Sequence, residues 1–254
     1  MNKQELINKL VGKGVEFGAL HNPVEINSEH ATVIYADKLK RMDAIKAFPE
    51  LEGVANKIVE TDIIADLDRD SLSFIKDQHL DFVIANHVIE HLVNPIRFLK
   101  IINDNLKEGG LFLLTVPNKD STLDINRQLT RFRHLVLEYF LMTKHLSNKH
   151  ITDYLKNKLP VENIHPRIME FFEQNGLPLS YYDGNKIPLN PISRNMLYQF
   201  HRDRSIHVHV WNRHSFDVFL NKTIKLFKLN LQVENYLPSE ISEGEMIYLL
   251  KKAN

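Results

Sequence analysis

Residues 81–118 read DFVIANHVIEHLVNPIRFLKIINDNLKEGGLFLLTVPN, and this stretch decides the fold class. With Leu80 before it, LDFVIAN (80–86) is nearly all apolar, the pattern of a strand buried on both faces of a parallel sheet. In VNPIRFLKIINDNLKEGG (93–110), Ile96, Leu99, Ile102 and Leu106 form one apolar stripe, which predicts an amphipathic helix. Pro95 suits its first turn and Gly109 a left-handed stop. LFLLTVP (111–117) is again a buried strand, ended by Pro117. A strand, a helix and a second strand in this order predict a parallel crossover unit.

The same alternation extends toward the N-terminus. GVEF (14–17) reads as a strand running into Gly18, and TVIYAD (32–37) as a second strand ending in Asp37. KLKRMDAIKAF follows with helix-forming residues, and NKIVETDII (56–64) is a third apolar run. Strands alternating with helices predict a doubly wound α/β sheet of the Rossmann-like type. In such sheets ligands sit beyond the carboxyl ends of the strands. Gly18 ends strand one, and Asp37 ends strand two 19 residues later. An acid at about that spacing accepts hydrogen bonds from ribose hydroxyls. Asp66 and Leu67 follow strand three, and Asn86 and His87 end strand four. Polar residues therefore gather where the fold predicts a site.

Composition sets outer limits. The 254 residues are 43% hydrophobic and 25% charged, as in a soluble globular protein. Lys+Arg and Asp+Glu are both 32, so there is no basic excess to suggest a nucleic-acid partner. The absence of cysteine removes disulfides, thiolate nucleophiles and zinc–sulfur sites. No apolar run is long enough for a transmembrane helix, and MNKQELINKL is too polar for a signal peptide. A cytoplasmic protein is the expectation.

The segment 81–118, with Glu90-His91 and Gly109-Gly110 in place, resembles the fourth strand, helix, Gly-Gly turn and fifth strand of class I S-adenosylmethionine-dependent methyltransferases. VEFGALHNP (15–23) is similar to the family's first motif, with Glu16 and Gly18 matching and the later glycines absent. One subgroup, which accompanies glycosyltransferases in bacterial surface-polysaccharide clusters, resembles the chain further in PNKDSTLDINR (117–127) and HVHVW (207–211). The resemblance implies a seven-stranded, mostly parallel sheet and S-adenosyl-L-methionine as cofactor. It implies Glu16, Gly18, Asp37, Asp66, Leu67, Asn86 and His87 as cofactor-binding residues, with Glu16 and Asp37 as acceptors near a cationic ligand. It also implies O-methylation of a bacterial glycan, or of a nucleotide-linked or phosphorylated precursor, including a capsule phosphoramidate group. The cofactor has no pyrophosphate, so one glycine at the closest approach can suffice where a dinucleotide loop needs several.

HSFDVFLNKTIKLF (214–227) reads as the last helix, and LNLQVENY (229–236) and EMIYLLKK (245–252) as the last two strands. The expected division is a cofactor-binding part over 1–117, a largely helical insertion over 118–206 forming lid and acceptor pocket, and the core's end over 207–254. LVLEYFLMTKHL and NIHPRIMEFFEQNG carry the insertion's helical patterns. Eight of the 13 histidines lie between His134 and His214. In an extended segment His207 and His209 point to the same side. These two and His134 are the candidate catalytic bases; a metal site and a purely structural role compete, and no metal is expected. His145, His150, His165 and His201 receive no role. Lys119 and Arg127 are the candidate substrate-binding cations for a phosphate-bearing acceptor, with Arg131 and Arg133 nearby. Two rival functions stand. A nicotinamide-dependent epimerase or dehydrogenase would want a richer glycine loop and a Tyr-x-x-x-Lys pair, which is missing. A non-catalytic, methyltransferase-like binding subunit is the other. Oligomeric state is undetermined by the sequence.

Overall fold

A computed structural model describes residues 2–70, 75, 79–161, 163–182 and 187–253 of the chain. Its centre is a seven-stranded sheet in the order β3-β2-β1-β4-β5-β7-β6. The strands are β1 (Gly12–Phe17), β2 (Ala31–Asp37), β3 (Ile63–Ile64), β4 (Leu80–Asn86), β5 (Leu106–Pro117), β6 (Leu231–Leu237) and β7 (Glu245–Lys252). β1 to β5 are mutually parallel, and β7 runs antiparallel between β5 and β6.

The alternation of side chains explains the continuous apolar runs. Val83 and Ala85 of β4, with Phe112, Leu114 and Val116 of β5, belong to one core. Phe82, Ile84 and Leu113 belong to the core on the opposite face. Both faces are covered, so every position of these strands must be apolar. α3 (Pro95–Asn105) buries Ile96, Leu99 and Ile102 as the stripe requires, and the Asn94 side chain caps it by accepting from Arg97 N–H. The helix ends before Leu106, which pairs with Leu80 in the sheet instead. Gly109, at φ +74°, turns the early part of β5 rather than stopping the helix. The third apolar run shrinks to the two residues of β3, because Pro49–Lys57 forms a 3-10 stretch before it. α8 (Arg213–Phe227) begins at an Asn212–Ser215 capping box.

The insertion after β5 is helical: α4 (Phe132–Phe140), α5 (Asn148–Asn157), α6 (Pro166–Gln174) and α7 (Pro191–Asp203). Its residues 162 and 183–186 lie outside those described. It carries a small core of its own around Ile151, Leu155, Phe172 and Leu197. α1 (Lys3–Ile7) packs Leu6 and Ile7 under the sheet, and α2 (Arg41–Ala47) follows β2. Among the described residues no helix is long and apolar enough to cross a membrane.

Candidate active site

A cavity of about 690 Å³ opens at the carboxyl ends of β1, β2 and β4. That volume lies in the range of small-molecule and cofactor sites. Gly18, Asp37, Asp66, Leu67 and His87 all line it. Gly18 has φ +67°, and a Cβ placed there would lie 2.9 Å from Val88 Cγ2. The turn after β1 is therefore a position that tolerates no side chain. Asp37 is partly exposed into the cavity, and one carboxylate oxygen accepts from Leu39 N–H at 3.2 Å. Burial raises its pKa, and backbone hydrogen bonds from Leu39 and Lys38 oppose the rise. An unfilled acceptor remains for hydroxyl donors.

Two of the residues implied as cofactor contacts sit elsewhere. Glu16 is fully buried, and both carboxylate oxygens accept from Val24 N–H at 3.0 and 3.2 Å. It holds the 18–24 turn in place and does not line the cavity. Burial raises its pKa to about 7, so its expected role as an anionic partner of a cationic ligand does not fit. Asn86 pairs with Thr115 across the sheet and is likewise absent from the cavity wall.

His87, at φ +54°, turns the chain after β4. Its Nε2 meets Glu245 at 2.7 Å and its Nδ1 meets Glu90 at 3.4 Å. Burial opposes its charge, but hydrogen bonds to both carboxylates outweigh burial and raise its pKa to about 9. The group gains its proton affinity on folding. Its contribution to stability is therefore complete below its unfolded value of 6.5 and disappears as pH rises to about 9. The melting temperature is expected to fall between pH 7 and 9, and Glu245→Gln should flatten that fall. A wild-type curve as flat as the variant's would remove the His87–Glu245 pair as its source.

The sequence did not reveal the group at the cavity's inner edge. His91 lines the cavity, and its Nδ1 lies 2.9 Å from Ile206 O. A carbonyl only accepts, so Nδ1 carries the proton and Nε2 offers a lone pair. Burial lowers the pKa of His91 to about 4, which keeps it neutral. His207 stands edge-on to His91, with ring centroids 4.8 Å apart, and its Nδ1 is hydrogen-bonded to Asp124. That bond likewise leaves its Nε2 as acceptor. Glu90 is completely buried, and the donor nearest its carboxylate among the described residues is His87 Nδ1, at 3.4 Å from Oε1. Glu90, His91 and His207 thus bring ligand atoms within 4.8 Å of one another. Such a set can accept a proton or seat a divalent cation.

His207 and His209 do not point the same way. Val208 N–H and His209 N–H both donate to Glu90 O, at 2.8 and 3.0 Å, so the segment bends instead of alternating. His209 is buried, with its Nε2 donating to Val93 O at 3.2 Å and its pKa pushed far down by burial. It lines a second groove and not this cavity. His134 lies outside the cavity, in the same groove.

Arg127 is a brace rather than a substrate donor. It is buried, and its five N–H groups are spent on Asp124, on Asp153, and on the carbonyls of His207 and Val208. Through Asp124 it fixes the partner of His207. Lys119 folds back on Ile125 O and Asp120. The cations that do line the cavity are Lys38, Arg69, Lys144, Arg202 and Arg204. Arg202 and Arg204 come from the end of α7 and the turn after it, a helix the sequence pattern did not show. Asp68, also on the wall, accepts from Val93 N–H and Asn94 N–H and ties two of the cavity's loops together.

The antiparallel β7 distinguishes this sheet from the all-parallel order of dinucleotide-binding folds, and its cavity carries an acid at the end of β2. A family model described as a methyltransferase domain matches residues 8–159, more than half of the chain. The chain belongs to that methyltransferase-domain family. It is an S-adenosylmethionine-dependent methyltransferase, and the nicotinamide and non-catalytic readings are set aside. Among solved structures, a protein described as a Zn-dependent alcohol dehydrogenase from Rhodobacter sphaeroides is similar in fold, with TM-score 0.53 at 12% identity over 100% of this chain and 91% of that one. A methyltransferase from Clostridium acetobutylicum aligns with TM-score 0.47 at 9% identity, over 99% and 89% of the two chains. No curated protein matches significantly.

The residues present suit the cofactor: a glycine at close approach, a free acceptor at the end of β2, and apolar walls from Leu20, Leu67 and Val88. Asp37→Ala is expected to weaken S-adenosylmethionine binding by about 1–3 kcal/mol, the cost of leaving polar partners unpaired. Calorimetry on the folded variant checks this, and unchanged affinity would remove the ribose role.

Proposed function

We propose that the protein methylates a hydroxyl oxygen of an acidic, sugar-containing acceptor, such as a bacterial surface glycan or its nucleotide-linked or phosphorylated precursor. The observation that carries the reading is the Asp124–His207 pair, whose imidazole packs edge-on against His91, a wall residue of the cavity that Gly18 and Asp37 line. S-adenosylmethionine supplies a sulfonium-bound methyl group. The protein's task is to align the acceptor oxygen with that methyl in a water-poor space and to take the hydroxyl proton. His207 Nε2 is the proposed acceptor of that proton, with Asp124 stabilising the imidazolium and Arg127 holding Asp124. Arg69 and Arg204 on the cavity wall are paired with Asp66 and Glu50, whereas Lys144 and Arg202 have no carboxylate partner among the described residues and favour an anionic acceptor. A capsule phosphoramidate is the narrower candidate, and the subgroup resemblance in 117–127 and 207–211 supports the glycan class.

The three converging lone-pair groups favour a second reading, in which a divalent cation at Glu90, His91 and His207 orients the acceptor oxygen. The test is transfer of labelled methyl to a panel of nucleotide sugars and capsule fragments, with and without chelator. Methylation of a hydroxyl that survives chelation supports the base. Loss on chelation, restored by a cation and absent in His91→Gln, supports the second reading. Methylation confined to carbon or nitrogen acceptors would overturn both.

A further inference from the structure

A second histidine cluster lies outside the cavity, between α4 and α5. His134 and Glu138 are one turn apart on α4, and His150 faces them from α5. His134 Nε2 is 3.2 Å from His150 Nε2 and 3.4 Å from Glu138 Oε2, and His150 Nε2 is 3.1 Å from Glu138 Oε1. A tetrahedral ion with ligand bonds of about 2.0–2.2 Å holds neighbouring ligand atoms roughly 3.3–3.6 Å apart. The three distances nearly match that edge.

The cluster is hard to explain without an ion. Glu138 is only 5% exposed, and its Oε2 has no hydrogen-bond donor. A buried carboxylate oxygen without a donor is costly. His209 packs against the group, with its Nε2 3.5 Å from Glu138 Oε2 while it donates to Val93 O. His134 is about a third exposed, and a groove reaches His134 and His150 from solvent. The groove gives an ion an entry path and an open fourth position.

We infer that His134, Glu138 and His150 form a site for one divalent transition-metal ion of the zinc class. Two imidazoles and one carboxylate select such an ion over magnesium or calcium, which prefer oxygen ligands throughout. This proposal departs from the expectation that no metal is used and gives His150 a role the sequence did not suggest. The ion pins α4 to α5, and the connection between those helices supplies Lys144, His145 and Leu146 to the cavity wall. Metal occupancy thereby sets one wall of the acceptor space without touching the reacting atoms.

The test titrates Zn²⁺ into chelator-stripped full-length protein, followed by calorimetry, melting temperature and X-ray absorption. The His91→Gln/His207→Ala double variant, with the other candidate cation group removed, should still bind one equivalent and gain thermal stability. Adding His150→Ala or His134→Gln to that background should weaken binding by on the order of 100-fold or more and abolish the stabilisation. His134 is the more exposed of the two, so its variant guards against misfolding, with circular dichroism as the control. Absorption spectra should show two imidazoles and a carboxylate. No stoichiometric uptake by the double variant, or undiminished affinity after both additions, overturns the site.

Discussion

His207→Ala is expected to keep near-normal affinity for S-adenosylmethionine and to lose roughly 10²–10⁴-fold in turnover, the range of a positioned acid–base group. The cavity-lining residues Gly18, Asp37, Asp66 and Leu67 come from the first three strands and their loops, whereas His207 comes from the segment that leads into α8. Truncating the imidazole removes the Nε2 lone pair and leaves Asp124 still held by Arg127 at 2.8 Å. The fold around it should therefore survive. Asp124→Asn should reproduce much of the loss, because an amide can donate to Nδ1 and favour the wrong tautomer. His209→Ala should behave differently. That ring is buried against Val93 and Glu138, so its loss should appear in stability before it appears in the chemical step. Single-turnover methyl transfer with a true acceptor measures each. Full activity in His207→Ala would move the proton-accepting role to His91.

Gly18→Val is expected to fold and to lose cofactor binding below detection by calorimetry. Two independent penalties act at one residue. A φ of +67° is strained for a β-branched side chain, and the Cβ would already lie 2.9 Å from Val88 on the cavity wall. Gly18 N–H is spent on Ala36 O, so the turn cannot swing away without breaking the β1–β2 ladder. The Cγ atoms of valine must then project toward ligand space. Gly18→Ala, with one carbon, should retain weakened binding. Unimpaired binding by a folded Gly18→Val variant would show that this turn is not where the cofactor passes.

The second-half histidines show why part of the site could not be read in advance. A period-two rule put His207 and His209 on one side, and two amide bonds to a single carbonyl of Glu90 bent the chain between them. Arg127 looked like a substrate cation because sequence shows charge and not partners. Its five donors are consumed by groups at positions 124, 153, 207 and 208. Lys119 likewise contacts Ile125 O and Asp120, partners its sequence position does not reveal. Glu90 and His91 were visible only as part of a family-like motif, and nothing local indicates that Glu90 is completely buried.

What the sequence determined by itself is the sheet and the edge where the cavity opens. The apolar runs 80–86 and 111–117 needed cover on both faces, which only a parallel sheet flanked by helices supplies. The stripe of Ile96, Leu99 and Ile102 supplied one such helix, and Gly18 and Asp37 marked the strand ends where backbone polar groups open toward a ligand. These are local consequences of periodicity and chain geometry. The tertiary structure alone decided the chemistry of the acceptor side. His91 meets His207 across 116 residues of chain, and His134 meets His150 across two helices. Whether a histidine is a base, a brace or a ligand depends on what its second nitrogen faces, and that is set by packing between distant segments.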